Sequence, residues 1–330
     1  MHIDILPLLC DPLDGSQLML QNETIKNGEV ESGMLISDSG REYPIINGIP
    51  RFTGKNETAK EAMTRASFEK EWAHFHRFDG FMGSSELLRS FIHPLGENDF
   101  QGKNVVECGC GAGRWLKVAA QWKAKYVIGV DFSSSVEISK RLCEGIPNID
   151  ILQASIFNLP LKKNVFDVVY SIGVLHHLRD PQEGLKNICG LARPGGKIAA
   201  WVYSLEGSRL YLALTWPLRK LGPLLGHTPM LMLSYGLGIV LRIFILAVNP
   251  LLRKMRIKIP LSDYMDNILK KLTYQSLCSV IYDQLTPAIA HYYSLEELKR
   301  MIASLSPALK ECGLSLREGN GWRIALEKTC

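Results

Sequence analysis

Residues 105–116 read VVECGCGAGRWL, and no other stretch limits the fold as tightly. An apolar run ends on Glu107, glycines follow at 109, 111 and 113, and an amphipathic run starts at Arg114. This pattern predicts a strand feeding a helix through a turn too tight for side chains. Glycine takes positive φ without strain and lets a bound group touch the backbone. A dinucleotide loop needs glycine at 114 to complete G-x-G-x-x-G, and arginine stands there. The loop is E-x-G-x-G-x-G, with an acidic residue where a pyrophosphate would be repelled.

Around this turn the chain alternates. Apolar runs at 104–107, 126–130, 149–153, 165–172 and 197–203 read as strands, with amphipathic stretches such as 181–192 between them. Such alternation predicts a parallel sheet with helices on both faces. Residues 133–135 (SSS) read as caps for the helix after Asp131, and Ser294 with Glu296 and Glu297 as a capped start. Strands at 314–318 and 322–327, joined by Gly319-Asn320-Gly321, predict a closing hairpin and an antiparallel last strand. The expected organisation is a small β-rich module (1–53), a helical linker that covers the site (54–100), a core (101–204), a helical insert (205–290) and core completion (291–330). Within the linker, Phe68, Trp72 and Phe75 share one helix face.

Asp131 ends the second strand of this alternation, in IGVDFS, where a carboxylate accepts ribose hydroxyls in nucleotide folds. Phe132 beside it offers an adenine platform. The stretches VVECGCGAG, IGVDFS, FDVVYSIGVLHHLRDP and LARPGGKI, within 104–203, resemble a class I S-adenosylmethionine-dependent methyltransferase. That cofactor carries a cationic amino group and a sulfonium and no pyrophosphate, which suits Glu107. The resemblance implies a Rossmann-like α/β fold of seven strands, the last antiparallel. It also implies cofactor contacts from Glu107, Gly109, Cys110, Gly111, Asp131, Phe132, Ser155, Ile156, Ser171 and Ile172. Ser155 stands where the family usually has an acidic residue. The residues alone leave blander readings open, in which Asp131 caps a helix and Glu107 is a buried paired carboxylate.

Residues 1–53, with LLCDPLDGSQL and SGREYPIINGIPRF, resemble a zinc-ribbon-like module found ahead of some bacterial methyltransferases. Of its two thiol pairs only Cys10 remains, so no structural zinc is expected. The eight cysteines form no C-x-x-C pair, and MHIDILPLLC lacks a basic leader pattern, so a reducing, cytoplasmic setting is expected. Cys330 as the last residue does not form a prenylation signal.

Charge is uneven. Residues 205–275 carry ten basic and three acidic side chains, and all of the chain's net +5 arises there. The same segment holds PMLMLSYGLGIVLRIFILAV (229–248), close to bilayer-spanning length but interrupted by Arg242 and two glycines. It reads as a buried lid, as a membrane-surface segment through 229–258 with RKMRIK meeting anionic headgroups, or as a true span, in that order.

Methyl transfer needs a nucleophile held in line, and a hydroxyl also needs a base. His176 and His177, after the fourth core strand, are the catalytic candidates, with His291, Tyr292 and Tyr293 behind them. Their other reading is structural. No Asn/Asp-Pro-Pro-aromatic motif and no nucleophilic cysteine follows that strand, so nucleic acid is disfavoured as acceptor. The expected acceptor is a small or lipid-like molecule in secondary metabolism or glycan biosynthesis, methylated on oxygen. An RNA methyltransferase and a non-catalytic binding module are the alternatives.

Overall fold

The computed structural model describes every residue except Thr53, Lys55, Asn56, Asp79, Lys258 and Cys330, and the backbone alone of Leu210, Leu214, Leu221, Pro223 and Leu224. The C-terminal cysteine and the last lysine of RKMRIK therefore lie outside the described residues.

Eleven strands form one sheet. They are β1 (Leu18–Lys26), β2 (Glu29–Ser37), β3 (Glu42–Ile46), β4 (Ile49–Phe52), β5 (Asn104–Cys108), β6 (Tyr126–Asp131), β7 (Ile149–Ala154), β8 (Phe166–Ile172), β9 (Ala192–Tyr203), β10 (Leu309–Arg317) and β11 (Gly321–Lys328). Their order is β1-β2-β3-β4-β7-β6-β5-β8-β9-β11-β10. The seven strands from β7 to β10 are the expected core, with β11 antiparallel between β9 and β10. The expectation of seven strands is exceeded because β4 pairs in parallel with β7 at Arg51–Gln153 and Phe52–Ala154. That pairing covers the core's open edge, which would otherwise present unpaired backbone groups.

Helices α1 (Ala59–His74), α2 (Ser85–Ile92), α3 (Glu97–Phe100), α4 (Arg114–Gln121), α5 (Ser135–Leu142) and α6 (Pro181–Leu191) surround the strands. The insert forms α7 (Arg209–Leu225), α8 (His227–Ile243), α9 (Asn249–Lys254), α10 (Ser262–Asn267) and α11 (Tyr274–Leu285), and α12 (Leu295–Ala303) returns to the core. Ser294 caps α12 in the expected box with Glu297. Of the serines before α5, Ser134 makes no side-chain cap, whereas Ser133 Oγ accepts from the Ser135 N–H at 3.3 Å. Ser133 Oγ also donates to Asp131, 2.6 Å away.

β5 and β8 run parallel, but the order in which strands are added reverses between them: β6 and β7 lie on one side, β9 and β11 on the other. The crevice beyond the strand ends at that switch point is where open α/β sheets bind ligands. One apolar cluster, with Val106, Ile128, Leu152 and Ile198, packs on one face. A second, with Val105, Leu116, Val127 and Tyr170, packs on the other.

The apolar segment does not lie buried as a lid. His227–Lys254 runs as a continuous 28-residue helix, through a wide turn at Phe244–Val248, and is long and apolar enough to cross a membrane. Only 17% of its most apolar window is buried. Met230, Ser234, Gly238, Ile245 and Asn249 form the inner stripe. A side chain at Gly238 would meet Cys278 Sγ at 2.7 Å, so the glycine permits the α8–α11 crossing. Arg242 is tolerated because it donates to the Leu272 carbonyl, 2.7 Å away.

Candidate cofactor cavity and catalytic centre

Beyond the ends of β5, β6 and β8 lies a cavity of about 470 Å³. The glycine turn forms its floor. Gly109 has φ +83°, and a Cβ there would sit 2.3 Å from Val174 Cγ2. Gly111 has φ +53°, and its Cβ would meet Trp72 Nε1 at 2.9 Å. The Gly109 and Cys110 N–H groups donate to the Val130 carbonyl at 2.7 and 3.0 Å, tying the turn to β6.

Two carboxylates sit on this floor. Glu107 is 1% exposed, and Tyr170 Oη, 3.2 Å away, is its one hydrogen-bond donor among the described residues. Burial pushes its pKa well above the usual carboxylate range. Asp131 accepts from the Gly111 N–H at 2.8 Å and from Ser133 N–H and Oγ–H at 2.9 and 2.6 Å. Burial raises its pKa too, against those hydrogen bonds. Buried carboxylates with so few cationic neighbours are completed by a cation. A ligand bearing an ammonium and a sulfonium therefore fits this floor.

Thr58 and Glu61 form a capping box that starts α1. The helix then lays Phe68 and Trp72 along the cavity, as the expected cover. Phe75 departs from that face. It lies just past the helix end and packs with Met230, Tyr282 and Leu285 of the insert. Phe132, Ser155 and Ile156 line the cavity, with Arg65 5.9 Å above the Phe132 ring. The Ser155 hydroxyl caps the next turn by accepting from the Phe157 N–H at 3.2 Å.

Of the candidate pairs after β8, one member each reaches the cavity. Ile172 lines it, whereas Ser171 is wholly buried and donates to the Cys108 carbonyl at 2.8 Å. Neighbours on a strand face opposite ways, so only Ile172 presents its side chain, while the contact expected of this pair runs through their backbone carbonyls and does not depend on which side chain faces the cavity. His177 lines the cavity. Its Nδ1 lies 2.6 Å from the Ile289 carbonyl, which makes Nδ1 the protonated nitrogen. Its Nε2 is buried and has no partner among the described residues. Burial lowers its pKa, so the imidazole is neutral near pH 7. His176 points elsewhere, its ring 3.7 Å from that of Tyr203 and both nitrogens without partners among the described residues. Tyr292 bonds Arg219 at 2.6 Å, and His291 lies exposed near the Leu178 carbonyl.

Arg114 was noticed in the sequence only as a departure from a glycine pattern. It stacks on Trp115 at 4.1 Å and lines the cavity, with Nε and one Nη buried and unpartnered among the described residues. Burial lowers its pKa to about 10. No group of three or more His, Cys, Asp or Glu side chains among the described residues could hold a metal ion.

The family described as methyltransferase domain matches residues 106–200. A Bos taurus protein named "Probable tRNA methyltransferase 9B" is 34% identical over 32% of this chain and 22% of its own length. A Citrifermentans bemidjiense protein named "tRNA U34 carboxymethyltransferase" is 33% identical over 38% of each chain. The chain thus spans well under half the length of these relatives. A solved S-adenosylmethionine-dependent methyltransferase from Aquifex aeolicus is 12% identical over 82% of this chain and 100% of that one, with a TM-score of 0.42.

These relatives overturn the expectation of a small or lipid-like acceptor with nucleic acid disfavoured. The missing motifs excluded two base chemistries, amino-group and C5 methylation, and left other RNA atoms open. The apolar run 229–248 has most of its surface outward, so its greasiness says nothing of what enters the cavity. With the glycine turn, the paired carboxylates and the strand order of the core, residues 106–200 are a methyltransferase domain of the class I, S-adenosylmethionine-dependent fold.

Proposed function

We propose that this chain transfers a methyl group from S-adenosylmethionine to RNA. The names of the relatives in two groups carry the choice of acceptor. The cavity is compatible with it. Phe68, Trp72, Phe78 and Phe157 line it, and stacked aromatic walls hold extruded bases. Arg179, 44% exposed and 4.6 Å over Phe157, offers a phosphate contact.

In this reading Glu107 and the Gly109–Gly111 backbone hold the methionine end of the cofactor, with Cys110 and Ile172 beside them. Asp131 would accept from the ribose hydroxyls, and Phe132, Ser155 and Ile156 would border the adenine. When bound, the cofactor supplies an electrophilic methyl whose sulfur leaves with the electron pair. His177 Nε2 takes the proton that the acceptor atom loses. Trp72 and Phe68 exclude water.

The first module reads as a ribbon whose metal has been replaced by an organic tie. Arg41 donates to buried Asp11 at 2.7 Å and also bonds Asp14, while Ser37 and Ser39 share a 2.9 Å hydrogen bond beside it. These residues come from the two segments that would each bring a thiol pair, so one guanidinium ties them together.

The test is methyl transfer from labelled cofactor into bulk tRNA. The expected result is label in the RNA fraction that ribonuclease treatment of the acceptor abolishes. Label that resists ribonuclease and moves into an organic phase sinks the reading.

A further inference from the structure

Behind the cofactor cavity lies a second chamber of about 140 Å³. Phe68, Trp72, Arg114, Ile172 and Gly173 line both, so the two share a wall at the place where β8 ends. The far side is closed by residues of the insert and of the terminal hairpin, among them Tyr264, Asp283 and Arg317.

The polar atoms of this chamber are unpaired to an unusual degree. Arg114 Nε and Nη1, Arg317 Nη2, Trp201 Nε1 and Glu71 Oε2 are all buried with no partner among the described residues. Arg317 is 1% exposed and Glu71 2%. Arg317 is not misplaced: its Nε donates to Ser90 Oγ at 3.0 Å and its guanidinium stacks on Phe91 at 4.0 Å. One Nη is thus left free by a side chain held firmly on every other atom. Leaving a buried donor unmet is costly, so several in one chamber mark a place built for a partner. Two guanidiniums and an indole N–H all ask for acceptor oxygens. Asp283 holds the Tyr203 hydroxyl at 2.6 Å. Burial and Asp283 together push Glu71 toward its neutral acid, and its other oxygen accepts from Ser279 Oγ at 2.9 Å. At about 140 Å³, against about 470 Å³ for the cofactor cavity, the chamber suits a small group rather than a whole nucleoside.

We infer that this chamber binds a carboxylate carried by the methyl acceptor, gripped by Arg114, Arg317 and the Trp201 N–H beside the reacting centre. The inference rests on the methyl-transfer reading and deepens it. Acetate is the probe, read on the full chain by saturation-transfer NMR and by thermal shift against chloride at equal ionic strength. Acetate binds saturably in the wild type, with saturating S-adenosylmethionine present, and at least several-fold more weakly in Trp201→Phe, which keeps the ring and loses only the N–H. Arg317→Lys, which keeps the charge and loses the fork, weakens it likewise. No saturable acetate effect overturns the proposal. So does displacement of acetate by the cofactor, which would assign the anion site to the cofactor's own carboxylate. Calorimetry with S-adenosylmethionine separates the two readings: absent cofactor binding fails the methyl-transfer reading, whereas intact cofactor binding without acetate binding fails only this one.

A different observation carries a second proposal. The outer stripe of the long helix exposes Met232 (71%), Ile239 (55%), Ile243 (58%), Leu246 (54%), Leu251 (56%) and Met255 (61%). No acidic residue occurs between Glu206 and Asp263, while Lys254 and Arg256 stand at the end of the stripe. On α7, Lys220 Nζ lies 3.9 Å over the ring of exposed Trp216. An apolar face with cations and an aromatic at its margins complements an anionic bilayer surface. The inner stripe packs on the protein, a geometry for lying along a surface and not for crossing a bilayer. We propose that α8 and α9 dock this chain on anionic membranes. It should co-sediment with phosphatidylcholine–phosphatidylglycerol vesicles, less at high salt, and Ile239→Glu/Ile243→Glu should stay in the supernatant with an unchanged melting temperature. Wild-type protein left in the supernatant overturns this, as does a dimer in light scattering that the double variant dissociates.

Discussion

With its Nδ1–H committed to the Ile289 carbonyl, His177 offers a neutral Nε2 to the cavity. His177→Ala should lower turnover about a hundredfold or more while cofactor affinity holds, measured by single-turnover kinetics and calorimetry. Because burial lowers the pKa, the rate should stay high through neutral pH and fall only below the ordinary histidine value. His176 lies against Tyr203 with both nitrogens unmet. His176→Phe keeps the ring contact and removes two orphaned polar atoms, so activity should persist and stability hold or rise. The pair was visible in the sequence, but which member faces the cavity was not. Backbone direction in a one-turn helix decides that, and residue spacing does not encode it.

Glu107 poses an opposite trade. Held at neutral pH without a cation, it weakens the unliganded protein, since its raised pKa makes the ionised form costly. Glu107→Gln should raise the melting temperature of the free protein by about 2–4 °C, or about 1–2 kcal/mol. It should also weaken S-adenosylmethionine binding about tenfold or more. Differential scanning fluorimetry with and without cofactor checks both signs in one experiment. A variant that loses stability and keeps affinity would mean that the carboxylate serves Tyr170 alone.

At the scale of elements, the glycine turn was readable because its constraints are local. Positive φ and close backbone approach leave a residue-type signature at fixed offsets. Gly109→Ala should cost about 1–2 kcal/mol for the positive φ alone, with the Val174 clash added. Adding Val174→Ala should recover the clash part and leave the φ part, a difference that a double-mutant cycle in denaturant resolves. The strands of the core and the terminal hairpin were readable for the same reason. The union of β4 with β7 was not, since it joins Arg51 to Gln153 across about a hundred residues through two residue pairs. Arg114 was hidden in a similar way. Its burial depends on α1 and on the insert, which no motif around the glycine turn reports.

Over the whole molecule, two sets of histidines divide its response to pH. His2 Nδ1 lies 3.0 Å from Asp150 Oδ2 and its Nε2 3.5 Å from Glu29, so the first module is pinned to β7 by a charge-assisted contact. The hydrogen bond to Asp150 raises the His2 pKa above 6.5. A raised histidine binds its proton more tightly in the native state. Its contribution is therefore complete below 6.5 and is lost as pH rises through the higher native value. His176 and His177 behave oppositely, because burial lowers both. The unfolded chain takes up protons that these native imidazoles refuse, so their contribution is present above 6.5 and lost as pH falls below it. Mild alkali should then loosen the first module while the centre stays closed, and mild acid should loosen the centre while the module stays docked. Hydrogen exchange read by peptide should show β1–β4 losing protection first above neutrality, and the segment around His176 and His177 losing it first below pH 6.5. Asp150→Asn should abolish the alkaline arm and leave the acid arm unchanged. Loss of protection in both regions together, at either extreme, would show that the module and the centre open as one unit and that His2 does not govern the joint between them.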